Sequence, residues 1–489
     1  MKAWRHTALV VAVALVARLA IVAWAFDTIR PIADGTYYDI LGRRISEGQG
    51  YTWLWPDGVV TYAAHYPVGY PALVALAYLV AGPTPGSAMV LNALIGAIGA
   101  GFMHRAALHV ASPRAASIAA VLGFALHPAL VLYTPALMTE GVTATFLAVA
   151  LSAALAARTL DRRRRFAALI GLGVTVGAAT LVRPQLLVFA PLFGLVAAAL
   201  PLRVDGRPPA RVSARVAKLA VTAAVALACA LVVVAPWTAR NCSKMGRCAL
   251  VSLNGGWNLL IGTNPKAQGT WAPVEVPPAC LEVFDEAEKD RCLGREGARA
   301  ILHEPGMWLS LAPKKLSATF DHVGAGPWYL HDANPSAFSE RARWFGGLLE
   351  EIAQRVLFAL AMAAVAGPLV RRSSTRVRRS ALIGAALVGL AAPGFITVLA
   401  FSLLALAAVV WSGSQGDRRD AVQAGGEASA DLPDDRARAA GLALAGIATL
   451  CTALTHIAFF GAGRYALVII PALVLGAATF KAFDRQRQS

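Results

Sequence analysis

Apolar runs of about 20 residues recur along the whole chain, and each can cross a hydrocarbon core of ~30 Å. Roughly twelve are distinguishable, near 7–26, 86–108, 115–133, 139–157, 166–182, 185–202, 217–237, 352–370, 380–394, 396–412, 439–460 and 463–480. Only "AAPG" divides the pair at 380–412, so the pattern is compatible with about eleven to thirteen spans. The run "PALVALAYLVAG" (71–82) is too short to span and predicts an interfacial or re-entrant helix. None of these runs alternates with period two, and lipid admits only helices or closed barrels. The predicted class is an all-α polytopic membrane protein with interfacial helices in its first polar loop.

Polar residues gather in two long segments, 27–85 and 238–351. They divide the chain into an N-terminal transmembrane module (1–237), a polar loop region (238–351) and C-terminal transmembrane helices (352–489). A Gly/Ser/Ala/Asp-rich stretch at 412–440 reads as a disordered cytoplasmic linker. The first run begins with Lys2 and Arg5, and "AWA" (23–25) faintly resembles a signal-peptidase site. Its apolar length and the further spans favour a retained helix.

With 489 residues, 57% of them hydrophobic, the chain is too apolar for a soluble enzyme of two or three domains. Its net charge of +17 invites a nucleic-acid reading, but the distribution argues otherwise. With the N-terminus inside and the spans alternating, Lys and Arg concentrate in short loops such as "RTLDRRRR" (158–165), "RVDGRPPARVSARVAK" (203–218) and "RRSSTRVRR" (371–379). Such loops set orientation by the positive-inside rule and meet anionic lipids. Both termini are then cytoplasmic and both long polar segments lie outside.

No P-loop, GxGxxG after a strand or HExxH helix is present, so chemistry driven by cytoplasmic nucleotide binding is excluded. Candidate residues are sought outside. In "PIADGTYYDILGRRISEGQGY" (31–51), Thr36-x-x-Asp39 has the spacing of a helix N-terminus, so Asp39 reads as a cap, with Tyr37, Ile40, Leu41 and Ile45 on one apolar face. That leaves Asp34, just before the helix, as a candidate general base for an acceptor hydroxyl. Glu140 in "TPALMTEG" stands at an outer span end. It is either a functional carboxylate or one favoured by a helix N-terminus.

Arg183 ("LVRPQ"), Arg240 ("WTARN") and Arg464 ("GAGRY") also stand at outer span ends. A lipid-linked phosphate would lie at that depth, and guanidinium groups bind phosphate bidentately. Arg18, mid-span, requires an internal polar partner. In "SLNGGWNLLIGTNPKAQGTW" (252–271), Gly255 and Gly256 can present N–H groups to an anion, Lys266 adds charge, and Trp257 or Trp271 can stack on a sugar. Asn254 and Asn258 are further substrate-binding candidates there. "HYPVGYP" (65–71) reads as a rigid turn carrying His65, Tyr66 and Tyr70, with His65 structural rather than a metal ligand.

Cys229 and Cys451 fall in apolar spans and read as inert. The other four cysteines share the segment 238–351. Short loops suggest Cys242–Cys248 and Cys280–Cys292 disulfides in an oxidising compartment. A zinc site is the rival, but these spacings match no usual zinc pattern.

In order along the chain, "ADGTYYDILGRRISEGQGY", "YPVGYPAL", "HPALVLYTPALMTE", "LVRP", "APWTARN", "LNGGWNLLIGTNPKAQG" and "FGAGRYALVIIP" resemble the GT-C superfamily of membrane glycosyltransferases. The nearest groups are bacterial relatives of protein O-mannosyltransferases and lipid A aminoarabinose transferases. The resemblance implies a polyprenyl-phosphate sugar donor, a first-loop aspartate as base and inverting transfer outside, on a bacterial inner membrane. It makes Asp34 the base, with Asp39 as the rival acid and Glu140 assisting. Arg183, Arg240, Arg464 and Lys266 would hold the donor phosphate. Tyr37, Tyr38, His65, Tyr66, Asn254, Trp257, Asn258 and Tyr465 would line the substrate site.

Many relatives carry two adjacent acids in the first loop, whereas Gly35 follows Asp34 here. No cofactor is identified, and a divalent cation stays open. The acceptor would be an envelope protein, lipid A or glycan, and the sugar a hexose or pentose. Rival readings are a lipid or polysaccharide flippase and an inactive envelope-assembly homologue.

Overall fold

The computed structural model describes residues 2–199, 212–321, 324–371, 373–419, 433 and 435–480. Its first half runs α1 (Lys2–Ala25), α2 (Asp34–Ser46), β1 (Thr52–Leu54), β2 (Val60–Tyr62), α3 (Gly69–Ala81), α4 (Pro85–Leu108), α5 (Pro113–Ala120), a π-helical turn (Val121–Ala125), α6 (Pro128–Leu132), α7 (Glu140–Thr159), α8 (Arg162–Val182), a 3-10 turn (Pro184–Val188), α9 (Phe189–Ala199) and α10 (Val212–Lys244). Then follow α11 (Gly255–Ile261), α12 (Glu286–His303), α13 (Pro305–Phe320), α14 (Ala325–Ala333), α15 (Glu340–Leu369), α16 (Thr375–Ala391), α17 (Gly394–Arg419), α18 (Asp435–Ala458), a 3-10 turn (Gly463–Ile469) and α19 (Ile470–Ala478). The only sheet among the described residues is the antiparallel β1–β2 ribbon, with Thr52 opposite Tyr62.

Among the described residues, seven helices are long and apolar enough to cross a membrane: α1, α4, α7, α8, α10, α15 and α18. The protein is a multi-pass membrane protein. The other expected runs fall on shorter or broken helices, and prolines account for several breaks. Pro128 opens α6 after the π-helical turn, Pro184 follows Arg183, and Pro393 precedes α17; each lacks an N–H and disfavours helix before it. The expected short helix at 71–82 is α3. The expected linker 412–440 is helical at both edges, in α17 and α18, and its middle (420–432 and 434) lies outside the described residues. So do residues 203–211 of the basic loop.

The core is built largely from alanine, with close backbone contact between helices. A Cβ on Gly173 of α8 would lie 2.5 Å from the Ala226 carbonyl oxygen of α10, and one on Gly177 would lie 2.7 Å from that of Ala230. Arg18 is buried in this bundle, but its partners are not acidic. Its guanidinium donates to the carbonyls of Ala125 (2.7 Å) and Phe124 (3.3 Å) in the π-helical turn. An irregular turn frees carbonyls that a regular helix would occupy, and Arg18 takes them.

The two polar segments meet at one end of the bundle. Cys242–Cys248 and Cys280–Cys292 pair in the second of them, as the short loops suggested.

Candidate functional site

Asp34 is the first residue of α2, which therefore begins two residues before Thr36. The expected cap is corrected: Thr36 donates to the Pro31 carbonyl (3.2 Å), and Asp39 lies inside the helix. Asp39 pairs with Arg43 at 3.2 Å and accepts from the Tyr78 hydroxyl of α3. The inward face of α2 is also shifted from that expected; it carries Gly35, Tyr38, Leu41 and Gly42, while Tyr37 is exposed.

The entry to α2 is strained. Ala33 has φ 50° and ψ −133°, a region that favours glycine and costs other residues about 1–3 kcal/mol. The Tyr329 hydroxyl of α14 accepts from the Ile32 N–H (3.3 Å), and the Gly35 N–H donates to the Ile32 carbonyl (2.9 Å). Together they fix the turn that aims Asp34.

Four charged side chains converge there. Arg464 Nη1 lies 2.8 Å from Asp34 Oδ2, and its Nε lies 3.5 Å from Glu140 Oε1. Arg183 pairs with the same Glu140 oxygen and donates to Thr139 Oγ1 at 3.0 Å. Tyr133 donates to the other Glu140 oxygen at 3.3 Å. Each arginine reaches the cluster from a break at a span end, where a helix stops and a 3-10 turn follows.

Tyr465 lies beneath both guanidinium groups, 5.1 Å from each, and His456 stacks on its ring at 4.3 Å. The two acids differ in access: the Asp34 side chain is 32% exposed and that of Glu140 is 1%. Asp34 can therefore meet a substrate, whereas Glu140 is a buried anchor for two arginines.

Tyr66 donates to Asp34 Oδ1 at 3.2 Å. Burial, with the charge of Asp34, holds its hydroxyl well above the ordinary tyrosine value, so it remains a donor. Tyr37 stacks against Trp53 (5.2 Å) and meets Tyr66 (5.1 Å), while Tyr38 packs edge-on to Tyr66 and Tyr70. His65 lies beside Tyr66 at 4.9 Å, and burial lowers its pKa against the pull of Asp290 and Asp34.

The remaining candidates stand apart from the four charges. Arg240 donates to the carbonyls of Ala63 and Tyr51, both at 2.9 Å, with its guanidinium 4.7 Å from the Trp237 ring. Those carbonyls belong to the first segment, so this arginine ties the two segments together and is not aimed at the cluster. The Gly256 N–H, expected to face a ligand anion, donates to Asp290 Oδ1 of α12 at 2.7 Å. Asn254 precedes α11 and accepts from Ser252 (3.0 Å). Asn258 and Trp257 are on α11, with Trp257 against the Cys280–Cys292 pair. Lys266 is exposed.

Sequence reasoning passed over Thr139, Tyr133, Tyr329 and His456. Thr139 and Tyr133 flank Glu140 in "YTPALMTE" and share its signal. Tyr329 and His456 reach the site from distant segments, and nothing local marks them.

These residues do not fit a divalent cation. Asp34 and Glu140 are each engaged by arginine, and a Cβ on Gly35, the position of a second acid, would lie 2.7 Å from the Tyr329 hydroxyl oxygen and 3.1 Å from the Leu137 carbonyl. Among the described residues no group of three His, Cys, Asp or Glu side chains is placed to hold a metal.

No protein-family model matches the chain, and no curated protein matches it. Among solved structures, it is similar to the apo oligosaccharyltransferase of Archaeoglobus fulgidus, with 14% identity and a TM-score of 0.48 over 99% of this chain and 51% of that one. It is also similar to the same organism's enzyme in complex with an inhibitory peptide and a dolichol-phosphate, with 14% identity, a TM-score of 0.45 and the same coverage. A third is ArnT of Cupriavidus metallidurans in the apo state, with 16% identity and a TM-score of 0.36 over 95% of this chain and 76% of that one. The chain spans about half the length of the archaeal enzyme.

Proposed function

We propose that the protein transfers a sugar from a polyprenyl-phosphate-linked donor to an acceptor hydroxyl, with inversion, on the extracytoplasmic face of a bacterial inner membrane. The observation that carries this reading is a solvent-reachable carboxylate, Asp34, bonded to Arg464 at 2.8 Å among two guanidinium groups at the ends of membrane spans. Nucleotide sugars are absent outside, so a lipid carrier delivers the activated sugar. The positive-inside distribution of Lys and Arg supports that side.

Two arginines balance two acids in the resting cluster. An arriving donor phosphate competes with Asp34 for Arg464 and frees the carboxylate. Asp34 then takes the proton of the acceptor hydroxyl as its oxygen attacks the anomeric carbon from the side opposite the phosphate. The carbon–oxygen bond to phosphate breaks and its electron pair leaves with the phosphate. Arg464 and Arg183 stabilise the extra charge on that leaving group. Glu140 and Tyr465 hold both guanidinium groups in place beforehand, so little reorganisation accompanies the step.

The test uses the purified full chain in lipid with a panel of polyprenyl-monophosphate sugars, with and without envelope acceptors. Release of free polyprenyl phosphate, with a product of opposite anomeric configuration, is expected for one donor. No release from any donor by folded protein would move the reading to a lipid flippase or an inactive homologue.

A further inference from the structure

Residues 63–66 form a strap between the β1–β2 ribbon and α3, and the second polar segment grips it from two of its helices and a loop. Glu286, at the start of α12, accepts the Ala64 N–H at 2.7 Å. The Leu253 N–H donates to the Ala64 carbonyl at 2.8 Å, and Arg240 of α10 donates to the Ala63 carbonyl at 2.9 Å. Within the first segment, the Tyr51 hydroxyl donates to the Tyr66 carbonyl at 2.7 Å. Ala64 is fully buried against Met245, Leu253 and Ala287. The strap ends in Tyr66, whose hydroxyl meets Asp34 at 3.2 Å.

Glu286 is a side-chain acceptor that the second segment places on the strap's backbone. Its carboxylate is fixed by its own helix, which Asp285 caps through the Ala287 and Glu288 N–H groups and the Cys280–Cys292 pair ties down. Nothing in the transfer step requires a carboxylate at this distance from the acceptor, and a surface helix start needs none buried in a neighbouring segment.

We infer that Glu286 is a positioning residue, which acts through the strap 63–66 to hold the Tyr66 hydroxyl on Asp34. The inference rests on the proposed role of Asp34 for its kinetic consequence, but not for its structural one. Carboxylates that accept a backbone N–H hold it with a charge-assisted bond, and removing such a partner leaves a buried donor unsatisfied. Gln keeps an acceptor oxygen at the same reach; Ala does not.

The test compares Glu286→Ala, Glu286→Gln, Tyr66→Phe and Glu286→Ala/Tyr66→Phe in the full chain in lipid. Hydrogen exchange follows the strap, and mass spectrometry follows the reactivity of Asp34 toward a water-soluble carbodiimide. Glu286→Ala is expected to speed exchange at 63–66 about tenfold, and Glu286→Gln to restore it. Asp34 labelling should rise alike in Glu286→Ala and Tyr66→Phe, and the double variant should exceed Tyr66→Phe by less than about twofold. Where transfer is measured, kcat should follow the same pattern with the donor KM unchanged.

Unaltered strap exchange in Glu286→Ala overturns the inference. So does a looser strap with unchanged Asp34 labelling, and so do effects that multiply in the double variant. If the wild type transfers no sugar, the proposed function fails while exchange and labelling still decide the role of Glu286.

Discussion

Residues 27–85 place a one-third-exposed carboxylate, Asp34, on the first turn of α2, within 2.8 Å of Arg464. Residues 238–351, the longer segment, place no charged side chain in an ion pair with Asp34, Glu140, Arg183 or Arg464 among the described residues. Their Arg240, Leu253 and Glu286 instead hold the backbone of the first segment. The segment with two disulfides and, among the described residues, four complete helices (α11 to α14) is the brace; the shorter one carries the proposed base. Rigidity is supplied from outside the site, which leaves Asp34 free to be reached.

That division is broken most directly at Asp34. Asp34→Asn keeps the shape of the side chain and removes the base, so transfer should fall about 10²–10⁴-fold with the protein still folded. Equal loss from a second-segment variant that leaves the strap intact would dissolve the distinction. Glu140→Ala should act on stability first. It leaves two arginines without their buried partner and should cost roughly 3–5 kcal/mol, read as a lower unfolding temperature in lipid.

The arginines sharpen the comparison. Arg464→Met should weaken donor binding about tenfold to a hundredfold, as expected for loss of charge-assisted bonds. Arg240→Met should leave donor affinity within about twofold and loosen the strap instead. Normal donor affinity in Arg464→Met would count against its phosphate role. Smaller still, opening Cys280–Cys292 by Cys292→Ala should cost about 2–3 kcal/mol, the range for short closed loops, without changing donor affinity.

Stability should also carry a pH slope through Glu286. Burial raises the Glu286 carboxyl to about 7, against the pull of the Ala64 N–H and Arg240; Asp285 adds to the rise. Its pKa is therefore higher folded than unfolded, so the folded state binds the extra proton. The contribution to stability is largest at low pH and declines as pH rises from the ordinary carboxylate range toward about 7. Glu286→Gln should flatten that decline in thermal unfolding measured between these limits.

How much of this was legible in sequence varies by residue. The spans follow from apolar length, and the disulfides from four cysteines in one segment with short spacings. Glu140, Arg183 and Arg464 are legible because charged residues at span ends are costly and therefore informative. Arg240 sends the same signal, yet its acceptors are the carbonyls of Ala63 and Tyr51, far off in sequence. A span-end arginine is identifiable locally; what it binds is not.

Thr-x-x-Asp spacing marks Asp39 as a helix cap, and only the family resemblance, with Gly35 after Asp34, makes it the rival acid. Tertiary contacts with Tyr329 start the helix earlier and turn Asp39 toward Tyr78 and Arg43. Glu286 and Tyr329 escape any local pattern, since each acts on a residue more than two hundred positions away.

The proposed role of Asp34, as base of a glycosyl transfer from a lipid-linked donor, is best tested by single-turnover release of polyprenyl phosphate. Wild type and Asp34→Asn would be compared in the same lipid with the same bound donor. Rapid release by wild type with release by Asp34→Asn lower by about 10²-fold or more, at unchanged donor occupancy, is the predicted result. Release at equal rates from both would contradict it.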